Sequence, residues 1–171
     1  MRRNSTSPGI LRLPLFLLIW GIASLAMWVP AVHAVVLNDH PTSQSFFYSG
    51  VVGLVFVTLI GISLGNRVPR YGMLGQLLSM LATFAVLPLY LAVPTYDALQ
   101  NTTYLNAYFD MVSAITTTGA DVFADPGRLP DSVHLWRAQV GWLGGLLMWI
   151  AASSVLAPLS LGGFEVTARG E

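Results

Sequence analysis

No cysteine occurs anywhere in the chain, which excludes a disulfide framework and any Cys-ligated metal. Charge is nearly as scarce: 9% of residues are Asp, Glu, Lys or Arg, against about a quarter in soluble domains. The formal net charge is zero, so the basic patch that a nucleic-acid partner calls for is missing. His33, His40 and His134 are spaced too far apart to suggest a metal site. No nucleophile with a His or carboxylate partner stands out, and phosphate-cradling glycine patterns are lacking. The chain does not read as an enzyme, and no cofactor is expected.

What is present is apolar. Hydrophobic residues make up 54% of the chain and the mean hydropathy is +0.65, the composition of an all-α integral membrane protein in contact with a lipid bilayer. A helical span needs about 20 apolar residues, and four uncharged or nearly uncharged runs reach that length: Leu13 to Leu37, Phe46 to Gly65, Tyr71 to Val93, and Leu135 to Leu161. Pro30 is expected to kink or end the first and Pro88 to kink the third. The first run also has a competing reading as a cleaved signal peptide, with Val32-His33-Ala34 as the small-residue site. It exceeds the ~7–15 residues of a signal core, which favours a span.

Between the runs lie polar segments. Asn38, Asp39, His40 and Pro41 read as a short loop, as does Asn66-Arg67-Val68-Pro69-Arg70. Pro94 to Ala107 is polar and aromatic, with Asn101-Thr102-Thr103 as a candidate helix cap. Val122 to His134 carries Asp125, Pro126, Gly127, Arg128, Pro130 and Asp131 and reads as exposed. Arg2, Arg3, Arg12, Arg67, Arg70 and Arg169 fall on one side if the chain crosses, returns, crosses, dips and crosses again. The positive-inside tendency then makes both termini cytoplasmic, in a multi-pass protein of the cell (inner) membrane. Asp39, Asp97, Asp110, Asp121, Asp125 and Asp131 fall to the outer face or the pore mouth, where they either keep loops in water or concentrate cations at an entrance. Asp121 is the one singled out as functional.

The dip is the segment from Asp110 to Asp121. A helix over about Asn106 to Thr116 is too short to span, so it is expected to enter and leave on one face as a re-entrant pore helix. After it come Thr116, Thr117, Thr118, Gly119 and Ala120. Consecutive β-branched residues disfavour helix and favour extended backbone. The glycine permits the φ > 0 geometry that turns successive carbonyls to one side. A row of carbonyls on one axis can replace the water around a dehydrated cation. Hard oxygen ligands without a carboxylate in the row suit a monovalent ion. Carbonyls of Thr117, Thr118 and Gly119 are the expected ligands, with the Thr117 hydroxyl as a further one. A Thr-rich turn closing a buried helix is the plainer alternative.

Around this string the sequence resembles a family. Tyr108-Phe109-Asp110, Ser113-Ala114-Ile115-Thr116-Thr117-Thr118-Gly119-Ala120, Leu135-Trp136-Arg137, Trp142-Leu143-Gly144-Gly145 and Ala157-Pro158-Leu159 look like the first pore repeat of Trk/Ktr-type potassium transporters. The resemblance implies a TrkH-like N-terminal portion, with residues 1–70 as an extra transmembrane helix pair and 71–171 as a membrane-pore-membrane repeat. It implies K⁺ held at Thr117 and Thr118, Gly119 as the filter glycine, and Thr116, Ala120, Asp121, Asp110 and Arg137 as supports. The family fuses four such repeats in one chain and works with a cytoplasmic nucleotide-binding regulatory subunit. One loop supplies a quarter of a filter, so the remaining pore repeats or other copies of the chain are the implied partners. The alternative function is a nonconducting membrane segment that acts through helix packing alone.

Three further expectations concern single residues. Gly141 and Gly145 form a small-xxx-small pair, expected to pack within the repeat against the Tyr71 to Val93 helix. Arg137 is expected either to pair with Asp110 or to snorkel to the headgroups. Trp20, Trp28, Trp136, Trp142 and Trp149 read as interface anchors or packing residues rather than a binding box.

Overall fold

A computed structural model describes residues 15–64, 73–123 and 125–161. The regular structure among them is entirely helical: α1 (Leu15–Ala26), α2 (Trp28–Val36), α3 (His40–Leu64), α4 (Met73–Ala85), α5 (Leu87–Ala98), α6 (Tyr104–Ile115) and α7 (Asp131–Leu161), with a 3₁₀ turn at Pro126–Arg128. The arginines at 2, 3, 12, 67, 70 and 169, on which the expected orientation rests, lie outside the described residues, as do the 66–70 loop and the tail from 162. Among the described residues, three stretches are long and apolar enough to cross a membrane: Leu15–Val36, His40–Leu64 and Leu78–Ala98.

Proline sets where these spans bend. Pro30 has no N–H for the carbonyl of Ala26, and its ring crowds that carbonyl. The helix accordingly breaks at Met27, while backbone bonds from Met27 N to Ala23 O (3.1 Å) and Ala31 N to Met27 O (3.2 Å) carry the chain through. Pro88 acts in the same way on Phe84, and α4 gives way to α5 at Val86. Pro94 does not end α5, which runs on to Ala98; the polar stretch expected from Pro94 therefore starts five residues later.

Two other boundaries differ from expectation. Asp39 accepts from Thr42 N at 3.3 Å, the bond of an N-cap, and Pro41 lies in the first turn where its missing N–H costs nothing. Thus α3 begins at His40 rather than Phe46. The segment from Val122 to His134 is not wholly exposed: Pro130 O accepts from Val133 N (2.8 Å) and His134 N (3.2 Å), α7 starts at Asp131, and Leu129, Ser132 and Val133 are buried.

The core joins α1, α2, α3, α5, α6 and α7. Phe46 and Trp136, both fully buried, meet edge to face at 5.8 Å, and Trp136 Nε1 donates to Leu91 O at 3.3 Å. Gly53 of α3 lies against the Tyr90 hydroxyl and Ser24 Oγ. Tyr90 in turn donates to Ser49 O at 2.7 Å, so one small-residue crossing fastens α1, α3 and α5. Outside this core the helices are apolar to the surface: Val52, Val55, Phe56, Leu59 and Ile62 on α3 and Trp142 and Trp149 on α7 are exposed. Water would not tolerate such continuous faces, whereas acyl chains match them. The protein is an all-α integral membrane protein.

Candidate functional site, the loop after α6

α6 is 12 residues long, about 18 Å at 1.5 Å per residue, too short to cross a bilayer. Thr103 caps its start, accepting from Asn106 N at 3.3 Å. Tyr104 and Tyr108 pin it to the preceding helices by donating to Leu89 O and Ala85 O, the second at 3.1 Å. Residues before α6 (Ala98 to Thr102) and after the loop (Val122, Phe123, Asp125 and Arg128 to Pro130) line one pocket of about 440 Å³. Entry to the helix and exit from the loop therefore lie side by side.

The helix ends in a double hydrogen-bonded turn. Thr117 N donates to Ala114 O (3.0 Å) and Thr118 N to Ser113 O (2.9 Å), the paired bonds of a Schellman motif, which requires a left-handed residue between them. That residue is Thr117, at φ +56°. α2 ends on the same pair of bonds, Asn38 N to Val35 O and Asp39 N to Ala34 O, with Asn38 at φ +59°. Asn accepts this conformation readily, while for a β-branched residue it is an outlier. Gly119 is also left-handed, at φ +69°, and has open space where a Cβ would stand. Backbone conformation, not room, is what calls for glycine there.

Thr117, Thr118, Gly119 and Ala120 are all exposed. Among the described residues no hydrogen bond reaches the carbonyls of Thr117, Thr118 or Gly119. Thr116 Oγ1 bonds back to Val112 O (2.6 Å) and meets Thr118 Oγ1 at 2.8 Å. Ser113 Oγ accepts from Ala120 N at 2.7 Å and donates to Ala120 O at 3.1 Å.

α7 braces this loop from behind. Arg137 Nε lies 3.0 Å from Asp110 Oδ1 and its Nη2 lies 3.3 Å from Asp121 Oδ1. Of the two outcomes expected for Arg137, pairing holds, and it pairs with both acids. Asp110 is 1% exposed and Asp121 71%, so the guanidinium ties a buried point on α6 to an exposed point just past the loop. Burial raises the Asp110 carboxyl from its ordinary value, and the Arg137 charge opposes the rise.

Gly144 is the closest fit between the two elements. A Cβ there would meet Ile115 O, with Ile115 C at 2.6 Å and Cα at 2.8 Å. Gly141 and Gly145 stand opposite Ala114 O (3.7 Å) and Thr117 Cγ2 (3.9 Å). The small-residue face of α7 is thus turned to α6 and its loop rather than to the Tyr71 to Val93 helix, because the loop's backbone needs the closest approach. Ser113, Ala114, Thr117, Gly119, Arg137, Ala138 and Gly141 border an open cleft of about 420 Å³ between loop and α7.

Sequence reasoning did not single out Ser113 or Gly144. The Gly144-Gly145 doublet was a signal for the second. No spacing rule ties Ser113 to a partner seven residues on.

No protein-family model and no solved structure matches the chain. Among curated proteins it is 28% identical over 155 residues to the Trk system potassium uptake protein TrkI of Halomonas elongata, covering 86% of this chain and 30% of that protein. It is 31% identical over 142 residues to TrkH of the same organism, covering 74% and 28%, and 40% identical over 70 residues to TrkG of Escherichia coli, covering 41% and 14%. The chain thus spans less than a third of the length of these relatives. It is a TrkH-like sequence, matching the N-terminal portion of Trk-type potassium uptake proteins.

Proposed function

We propose that the chain contributes one side of a potassium filter to a Trk-type uptake system in the cell membrane, with the carbonyls of Thr117, Thr118 and Gly119 as ligands for the transported K⁺. The observation that carries this reading is the Thr-Thr-Gly row itself. It is left-handed at both ends, exposed, and set at the C-terminal end of a helix too short to span. A helix C-terminus carries partial negative charge, and free carbonyls replace the hydration shell of a cation with no carboxylate needed. Side-by-side entry and exit around one pocket support a re-entrant path for α6 and its loop. Arg137, Asp110 and Asp121 support the loop as a brace, with Thr116 and Ala120 at its ends.

On this reading α7 is a fourth transmembrane helix, residues 1–70 form the leading helix pair and 71–171 a membrane-pore-membrane repeat, with both termini cytoplasmic. One row of carbonyls surrounds an ion from one side only. Further pore repeats or other copies of the chain complete the ring, and a cytoplasmic nucleotide-binding subunit regulates it.

The test uses a chimera in which this chain replaces the matched segment of Escherichia coli TrkH, expressed in an uptake-deficient strain. Gly119→Ala meets no clash, but forces a side chain into a left-handed conformation that costs about 1–2 kcal/mol or a changed carbonyl direction. Uptake is expected to be abolished with membrane insertion intact. Normal uptake by the Gly119→Ala chimera sinks the filter assignment.

A further inference from the structure

Several helical hydroxyls in this protein behave alike. Ser24, Ser45, Thr58, Thr83 and Ser153, together with Thr116 at the end of α6, each donate to the carbonyl four residues back, the local bond such side chains ordinarily make in helices. Ser113 does not. Its hydroxyl reaches seven residues forward, accepts from Ala120 N at 2.7 Å and donates to Ala120 O at 3.1 Å. A single side chain thereby satisfies both backbone groups of one loop residue, as a neighbouring strand would. Ser113 itself is 8% exposed.

We infer that Ser113 is a positioning residue that ends the row of ion-facing carbonyls at Gly119. The inference rests on the filter reading of Thr117, Thr118 and Gly119. A carbonyl that accepts from a hydroxyl on α6 is directed back at α6, which removes Ala120 O from the set available to a cation. The loop is then held at both ends by the same short stretch of helix. Ser113 O and Ala114 O hold the amides of Thr118 and Thr117, and Ser113 Oγ holds Ala120. Gly119 lies between these anchors with its left-handed φ fixed from either side. Three carbonyls at set spacing favour one ion radius. A loop freed at Ala120 can adjust to a smaller ion.

The clamp can be read in the full chain in lipid nanodiscs, by amide hydrogen exchange resolved at Thr117, Thr118 and Ala120. In Ser113→Ala, exchange at Ala120 is expected to quicken about tenfold, the loss of roughly one hydrogen bond, while Thr117 and Thr118 keep their rates. Ser113→Thr keeps the hydroxyl, its methyl has the cleft beside Ser113 to enter, and it is expected to restore slow exchange. Unchanged exchange at Ala120, or equal loss of protection at all three amides with no rescue by Thr, overturns the proposal. In the transporting chimera, Ser113→Ala is expected to raise the KM for K⁺ several-fold and to lower discrimination against Na⁺ at retained Vmax. A fall in Vmax alone at unchanged KM marks a folding role and also overturns it. These readouts are separable from the filter reading. If Gly119→Ala abolishes uptake and Ser113→Ala changes neither exchange nor KM, the clamp alone fails.

Discussion

Thr117 and Asn38 occupy the same place in two identical helix endings, and the difference between them is informative. Asn38 closes α2 at φ +59° and Thr117 closes α6 at φ +56°. A β-branched residue in the left-handed region costs about 1–2 kcal/mol more than one suited to it, and such strain persists where surrounding structure over-determines it, often at functional sites. Thr117→Asn is therefore expected to leave the melting temperature of the chain unchanged or to raise stability by up to about 1 kcal/mol, while potassium uptake by the chimera falls. Thermal unfolding in detergent checks the first half; a clear drop in melting temperature contradicts the account of strain. At this scale the sequence was partly legible. Thr-Thr-Thr-Gly announced non-helical backbone because threonine resists helix and glycine permits positive φ. That Thr117 would itself be left-handed ran against its propensity and followed from the two hydrogen bonds that close α6. The Ser113 bond to Ala120 was invisible, since it depends on how the loop folds back.

Among the elements, α6 and α7 depend on each other most closely. Gly144 admits the carbonyl end of α6, and Arg137 reaches over it to Asp110 and Asp121. Gly144→Ala in a helix would ordinarily gain about 0.5–1 kcal/mol. Here the methyl meets Ile115 backbone, which has little room to yield, and overpacking of this kind costs about 1–3 kcal/mol. A lower unfolding temperature is expected for Gly144→Ala and none for Gly141→Ala, whose Cβ would find only ordinary contact with Ala114 O. Equal effects at both positions contradict the packing described. Element boundaries were legible where proline or an apolar run marked them: the kinks near Pro30 and Pro88, and α6 within two residues at its start and one at its end. They were misread where polar residues begin a helix. Asp39, His40 and Pro41 looked like a loop, yet the carboxylate of Asp39 is the cap that lets α3 start there.

For the whole molecule, hydropathy carried most of the information. Long uncharged runs predicted membrane spans, and among the described residues three stretches have the required length and composition, with apolar side chains exposed along them. How the helices pack was not readable from those runs, because apolar residues look alike whether they face lipid or protein. The contacts that decide it involve small or polar groups: Gly53 against Tyr90 and Ser24, the Trp136 indole on Leu91, and His33 Nδ1 on Ser132 Oγ at 2.9 Å, which joins α2 to α7. Together they hold the leading helices against the element that braces the loop. The most direct measurement of the central claim is growth at low potassium of an uptake-deficient bacterium carrying the chimera of this chain with Escherichia coli TrkH. The account predicts growth with the chimera, whose remaining repeats complete the ring that a single row of carbonyls cannot close. A chimera present in the membrane at the parental level that supports no potassium uptake would contradict it.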